Sequence, residues 1–286
     1  MVRKLIIGGL LLVASVHLLG TGAAAQGTFE RIKKEGVIRI GFANEAPWSF
    51  AQSDGTIAGA DVDLASTIFP KLGVPQLEGV LTKFGSLIPG LKANRFDGVV
   101  AGFYIRPERC EQVLFSEPTV GVGDAVVVRA GNPKKITSFK SIAADPTIKI
   151  GAVVGAATTQ NAKAAGVAES QLMMFPDFYS AIAALKAGRV DGALQTAISA
   201  ATTVKNSNDK TIERALPFEQ AIVNGKPTMN YAGFAFRLGD KDLVDAFNAE
   251  LARFKGSPEH VKMLEKYGIS PNEIPKGVTT AELCKR

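Results

Sequence analysis

The sequence predicts a two-lobed α/β protein, each lobe a mainly parallel sheet flanked by helices, with a two-strand hinge between them. Three observations carry that prediction. First, Leu91-Lys92-Ala93-Asn94-Arg95-Phe96-Asp97-Gly98 reads almost like Leu185-Lys186-Ala187-Gly188-Arg189-Val190-Asp191-Gly192. Each window follows a helical pattern and leads into a short apolar strand, Gly98 to Ala101 and Gly192 to Leu194. Second, Val37-Ile38-Arg39-Ile40-Gly41 upstream of one window echoes Thr147-Ile148-Lys149-Ile150-Gly151 upstream of the other. Strands alternating with helices imply parallel pairing, and two echoes in the same order imply a repeated unit. Third, two β-rich runs, Ala125 to Arg129 and Tyr231 to Arg237, lie near the ends of the two halves. If both cross between the halves, the second lobe is inserted in the first and the crossing strands form a hinge over a cleft.

Taken in order, the chain opens with Arg3 and Lys4, an apolar run from Leu5 to Leu19, and Ala23-Ala24-Ala25 before Gln26. That is the order of a secretory signal, expected over residues 1–25. Its removal leaves 261 of the 286 residues and lowers the net charge from +6 to +4, because Arg3 and Lys4 leave with it. His17 leaves too, and a single histidine, His260, excludes a three-histidine zinc site. No cysteine follows the apolar run to take a lipid anchor, so a chain free in the periplasm is expected. With 46% apolar and 21% charged residues the composition is globular, which disfavours a nucleic-acid-coating role. The lobes are placed at 26–128 with 229–286, and at 129–228. After the second β-rich run come two amphipathic helices. One spans Lys241 to Phe254 with Leu243, Phe247, Leu251 and Phe254 on one face, and the other begins at Pro258.

Candidate site residues cluster after strands and at helix starts, where open α/β sheets place ligands. Glu45 and Trp48, the chain's single tryptophan, follow the first strand. Phe84 stands just before the first repeated helix, and Tyr104 and Arg109 follow the first repeated strand. Arg109 offers a planar fork suited to a carboxylate; its ordinary alternative is an ion pair with an acid such as Glu117. In the second half, Thr158 and Thr159 sit where a strand gives way to a helix, a place for an anionic group or for plain capping. The loop lacks the Gly-Lys-Ser/Thr ending of a phosphate loop, which disfavours a nucleotide. Cys110 and Cys284 make an even pair, and in an exported chain that favours one disulfide over two buried thiols. No cofactor motif is present.

These residues carry a resemblance to the type II periplasmic solute-binding proteins of the polar amino-acid uptake family. It rests on Gly41 to Pro47, Gly59 to Leu64, Ser86 to Leu91, Pro107-Glu108-Arg109 and Phe115-Ser116-Glu117-Pro118. Within that family the chain most resembles the ectoine and hydroxyectoine binders, through Ala43 to Trp48, Leu77 to Thr82, Pro107 to Cys110 and Thr279 to Cys284. The resemblance implies that Arg109 grips a ligand carboxylate and that Thr158 or Thr159 closes on it. It implies an aromatic box of Trp48, Phe84 and Tyr104, with Glu45 on the ring nitrogens. Amino-acid binders commonly hold an aspartate after the second Asp-Gly strand, where this chain has Thr196. That departure implies a ligand without a free α-ammonium. Arg106 is a second departure, since a smaller residue is common there.

The expected function is therefore non-catalytic: a periplasmic receptor, expected as a monomer, that closes on a small zwitterion and delivers it to an ABC permease. Rival ligands are a polar amino acid or a betaine. A rival of another class is a cyclohexadienyl dehydratase-like lyase, which needs a positioned acid or base; Glu45 is the one candidate the sequence offers.

Overall fold

The computed structural model describes residues 27–223 and 226–285; the expected signal segment, 1–25, lies outside them. Two five-stranded sheets carry the fold. The first runs Gln76–Leu81, Val37–Phe42, Gly98–Val99, Ala235–Phe236, Leu114–Phe115. The second runs Leu172–Phe175, Ile150–Val153, Gly192–Thr196, Asp124–Arg129, Ile212–Arg214. Each sheet begins with parallel pairs and ends with antiparallel ones. The parallel part is the repeated strand–helix–strand unit, and the antiparallel part is made by the strand arriving from the other lobe. Among the described residues no helix is long and apolar enough to cross a membrane.

The repeated Asp-Gly has a structural purpose in both lobes. Asp97 N donates to Arg39 O at 2.7 Å while the Asp97 carboxylate accepts from Arg39 N at 3.1 Å. Asp191 does the same with Lys149, at 2.6 and 2.9 Å. Each clamp aligns the strand that follows, pairing Ile40 with Gly98 and Ile150 with Gly192. Asp97 is buried and also draws Arg31, Arg39 and Arg237, whereas Asp191 pairs with Arg129.

Three expectations need adjusting. Residues up to 128 were expected in the first lobe, yet Asp124–Arg129 pairs with Gly192–Thr196 in the second sheet. Ala125 to Val128 are buried and apolar, which fits a strand covered on both faces. The chain therefore changes sheets between Val122 and Asp124, because Val120–Val122 pairs instead with Asn230–Ala232 in a separate ribbon. The run from Tyr231 to Arg237 is also two strands, not one. Phe234 N donates to the Ser116 hydroxyl at 2.9 Å, so the ladder breaks where the chain leaves the ribbon for the first sheet. The strand expected from Gly98 to Ala101 spans only Gly98–Val99, since Gly102 leads the chain into the cleft with φ +57°.

The two late helices form as expected. Lys241–Phe254 buries Leu243, Phe247, Leu251 and Phe254, with Phe247 against Phe69, Phe234 and Phe236. Pro258–Glu265 starts at Ser257, whose hydroxyl caps His260 N. The tail returns to the first lobe: Thr280 donates to Ser116 O and to the Glu117 carboxylate, and Cys284 is disulfide-bonded to Cys110, with Cα atoms 5.7 Å apart.

Candidate functional site

The loop after Val37–Phe42 is tied into a tight knot, with Glu45 N on Ser49 O and Trp48 N on Glu45 O. Trp48 is fully buried, and Gly102 faces its ring so closely that a Cβ there would come within 2.7 Å of the indole. Across the cleft, Thr196 caps the helix Ala197–Ser207, its hydroxyl accepting from Ser199 N at 3.0 Å. That cap aims the Ser199 hydroxyl back at the first lobe. Ser199 Oγ accepts from Trp48 Nε1 at 2.9 Å and from the Thr196 hydroxyl at 2.9 Å, and donates to Glu45 Oε1 at 2.7 Å. One donor and two acceptors fill the capacity of a hydroxyl. Ser199, a residue that the sequence reading passed over, thus joins Glu45, Trp48 and Thr196. Burial lifts the Glu45 carboxyl to about 8; its bond from Ser199 opposes that shift and nearby Asp61 adds to it.

Arg109, on the short helix Pro107–Cys110, is buried. Its Nη1 donates to Tyr104 O at 2.8 Å and its Nη2 reaches across the cleft to Gly155 O at 2.9 Å. The guanidinium lies 4.0 Å over the ring of Phe103, a residue the sequence reading passed over, and 5.8 Å from that of Phe84. The ion pair with Glu117 offered as its ordinary alternative does not form: Glu117 accepts from Thr280 N instead. Among the described residues Arg109 has no carboxylate within salt-bridge distance. Burial and the neighbouring Arg106 lower its pKa to about 9.

Phe84 meets Phe103 in its own lobe at 5.7 Å and, edge-on, Phe178 of the second lobe at 5.8 Å. Beside it the backbones touch, since a Cβ on Gly155 (φ +79°) would stand 2.8 Å from the Gly85 Cα. The threonines divide. The Thr159 hydroxyl donates to Val153 O at 3.0 Å and so braces its own helix start, whereas the buried Thr158 hydroxyl has no partner. The buried Tyr104 hydroxyl likewise completes no hydrogen bond, although Thr196 lies close. Arg106, the second departure from the family pattern, spans the cleft to Asn161 Oδ1 at 2.7 Å and pairs with Glu108 at 2.9 Å.

The sequence offered Glu45 as the single cleft acid; the structure shows a further buried acid, Asp124, paired across the strand with Thr196. Asp124 is buried, and burial lifts its carboxyl to about 6 against hydrogen bonds from Asn161 and Asn230. A groove of about 290 Å³, lined by Asn44, Glu45, Phe178, Tyr179, Gln195 and Asn206 among others, opens beside Glu45. Among the described residues no group of three His, Cys, Asp or Glu is placed to hold a metal ion.

Glu45, Trp48 and Arg109 of the first lobe thus meet Ser199 and Gly155 of the second through hydrogen bonds. Residues 38–270 match the model of the bacterial extracellular solute-binding proteins, family 3. The chain belongs to that family. It is a solute-binding protein with the two-lobed type II fold. It is similar to a probable amino-acid ABC transporter periplasmic-binding protein of Sinorhizobium fredii, 38% identical over 90% of this chain and 86% of that one. The crystal structure of EhuB in complex with hydroxyectoine superposes with a TM-score of 0.81 at 36% identity, covering 90% of this chain and 97% of EhuB. The ancestral amino acid-binding protein AncCDT-1, a precursor of cyclohexadienyl dehydratase, gives 0.73 at 29% identity over 84% and 99%.

Proposed function

We propose that this protein is the periplasmic receptor of an ABC importer, capturing a small zwitterion of the ectoine and hydroxyectoine class and passing it to the permease. The observation that carries the reading is Arg109: a buried cation with neutral acceptors and no acid partner, stacked on Phe103. A ligand carboxylate supplies the missing anion, and charged hydrogen bonds of this kind contribute ~1.5–3 kcal/mol. The Thr158 hydroxyl, at the start of the Ala157–Ala164 helix, is the second-lobe group that meets the same carboxylate. At the other end Glu45, Trp48, Phe84 and Tyr104 receive a delocalised cation, each cation–π contact contributing ~0.5–2 kcal/mol when desolvated. Closure excludes water from both ends, and the closed shape is what the permease reads. The likeness to hydroxyectoine-bound EhuB supports the ligand class, and the relative from Sinorhizobium supports the transport role. The protein acts as a non-catalytic monomer in this reading.

Isothermal titration of purified protein against ectoine, hydroxyectoine, glycine betaine and a set of amino acids tests it. Ectoine-type solutes should bind at least ~100-fold more tightly than ordinary α-amino acids, about 2.7 kcal/mol. Submicromolar binding of a standard amino acid with ectoine silent rejects the ligand class and keeps the receptor.

A further inference from the structure

Thr196 stands where many amino-acid binders hold an acid, and its neutrality argues for a ligand that needs none there. The strand register changes that argument. Thr196 is the cross-strand partner of Asp124, and directly opposed residues in an antiparallel pair put their side chains on one face, their Cβ atoms about 5 Å apart. An acid is therefore present after all, carried one strand over.

Its surroundings hold it in place without neutralising it. Asn161 Nδ2 donates to both carboxylate oxygens, at 2.8 and 3.1 Å, and Asn230 Nδ2 to one of them at 3.3 Å. Gln220 grips the backbone on either side, accepting from Asp124 N and donating to Asp124 O. All three are neutral amides. The nearest cation, Arg106, spends its fork on Asn161 and Glu108, and among the described residues Asp124 forms no salt bridge. A buried hydroxyl without a partner, that of Tyr104, stands in the field of both Asp124 and Glu45.

We infer that Asp124 is a second acid facing the bound cation, and that with Glu45 it selects solutes whose positive end carries N–H donors. This rests on the zwitterion reading above and narrows it. Quaternary ammonium solutes offer rings and carboxylates the same attraction but present no N–H to a carboxylate. Ectoine's ring presents them; glycine betaine and proline betaine do not, and proline, whose ammonium does, is the α-amino acid control that should stay at least ~100-fold weaker than ectoine.

Titration of the wild type, Asp124→Asn and Glu45→Gln with these four solutes decides the matter. The wild type should bind ectoine at least ~30-fold more tightly than either betaine. Asp124→Asn should weaken ectoine by ~10- to 100-fold, the range of a lost charged hydrogen bond, while shifting the betaines less than threefold. If Asp124→Asn does not fold, Glu45→Gln answers instead: a residual ectoine preference of ~5-fold or more supports a second acid, and its complete loss overturns one. Ectoine binding retained within threefold in Asp124→Asn, or betaines bound as well as ectoine by the wild type, overturns the inference alone. Silence of the wild type towards all four solutes overturns the zwitterion reading with it.

Discussion

Truncating Arg109 to alanine separates a ligand-binding arginine from a structural one, because the two roles move different measurements. In the protein as folded, Arg109 donates to Tyr104 O and Gly155 O, and the second of these joins the lobes. Losing both bonds destabilises by a few kcal/mol at most. Losing a buried cation with no counter-ion acts the other way, since burial already opposes its charge. The melting temperature of the ligand-free protein should therefore change little. Binding has no such offset. The solute's carboxylate would enter a dry cleft without its partner, at a loss of ~2–5 kcal/mol, or roughly 30- to 5,000-fold in Kd. Solute at a thousand times the wild-type Kd stabilises by ~4 kcal/mol, about 8–16 °C at this chain length, and the variant should lose most of that shift. Arg109→Lys keeps the charge without the fork and should fall between. The measurements are isothermal titration and melting curves with and without ectoine. Affinity kept within threefold in Arg109→Ala, or a collapse of ligand-free stability, would refute the assignment.

The threonine pair gives a second contrast: Thr158→Val should lower affinity ~3- to 10-fold at unchanged ligand-free melting, whereas Thr159→Val, losing the bond to Val153 O, should melt lower and bind nearly normally. Burial lifts Glu45 to about 8, Asp61 to about 7 and Asp124 to about 6, against about 4 when unfolded. The folded state holds those protons more tightly, so each lowers ligand-free stability as pH rises from about 4 to its folded value, and above about 6.5 Glu45 and Asp61 carry the remaining fall. His260, lowered to about 4 by burial, acts only below about 6.5. A melting temperature that climbs between pH 6.5 and 8.5 would contradict the sign, and Glu45→Gln should flatten the slope. Replacing Cys110 and Cys284 with serine opens a link across 174 residues. The entropic model sets an upper loss of ~5 kcal/mol, or ~10–20 °C in a melt; an unchanged melt would mean that the tail docks without it.

The fold was legible because its repeat is written locally. The Arg-x-Asp-Gly windows announce the strand that each Asp clamps, and the helical faces at Leu87 and Leu91, Ile182 and Leu185 are buried where the period places them. What could not be read depends on pairing across the chain. Ser199 matters because a cap at Thr196 turns it towards residues some 150 positions away, Trp48 and Glu45. A faint signal existed, a serine three residues after a capping threonine. Asp124 left a clearer one. It is the acid inside the otherwise apolar run from Val120 to Val128, in a segment too hydrophobic to face water. Phe103 gave none, since a lone phenylalanine after a strand is ordinary core until an arginine is found above it.

In the proposed reading the two ends of the cleft make opposed demands, which a zwitterion would meet. Ser199, the Arg109 bond to Gly155 O and the Arg106 bond to Asn161 all draw the lobes together. The same closure buries Arg109 at one end and Glu45 and Asp124 at the other, without an ion pair for any of the three among the described residues. Burial answers this differently at the two ends: Arg109 stays charged, at a cost, whereas Glu45 keeps its proton up to about pH 8. A lone anion relieves Arg109 and leaves the acids protonated; a lone cation draws the acids into their charged form and leaves Arg109 unpaired. A molecule carrying both charges at the right spacing relieves both ends at once, and its differential affinity for the closed state is the quantity that shifts the lobes.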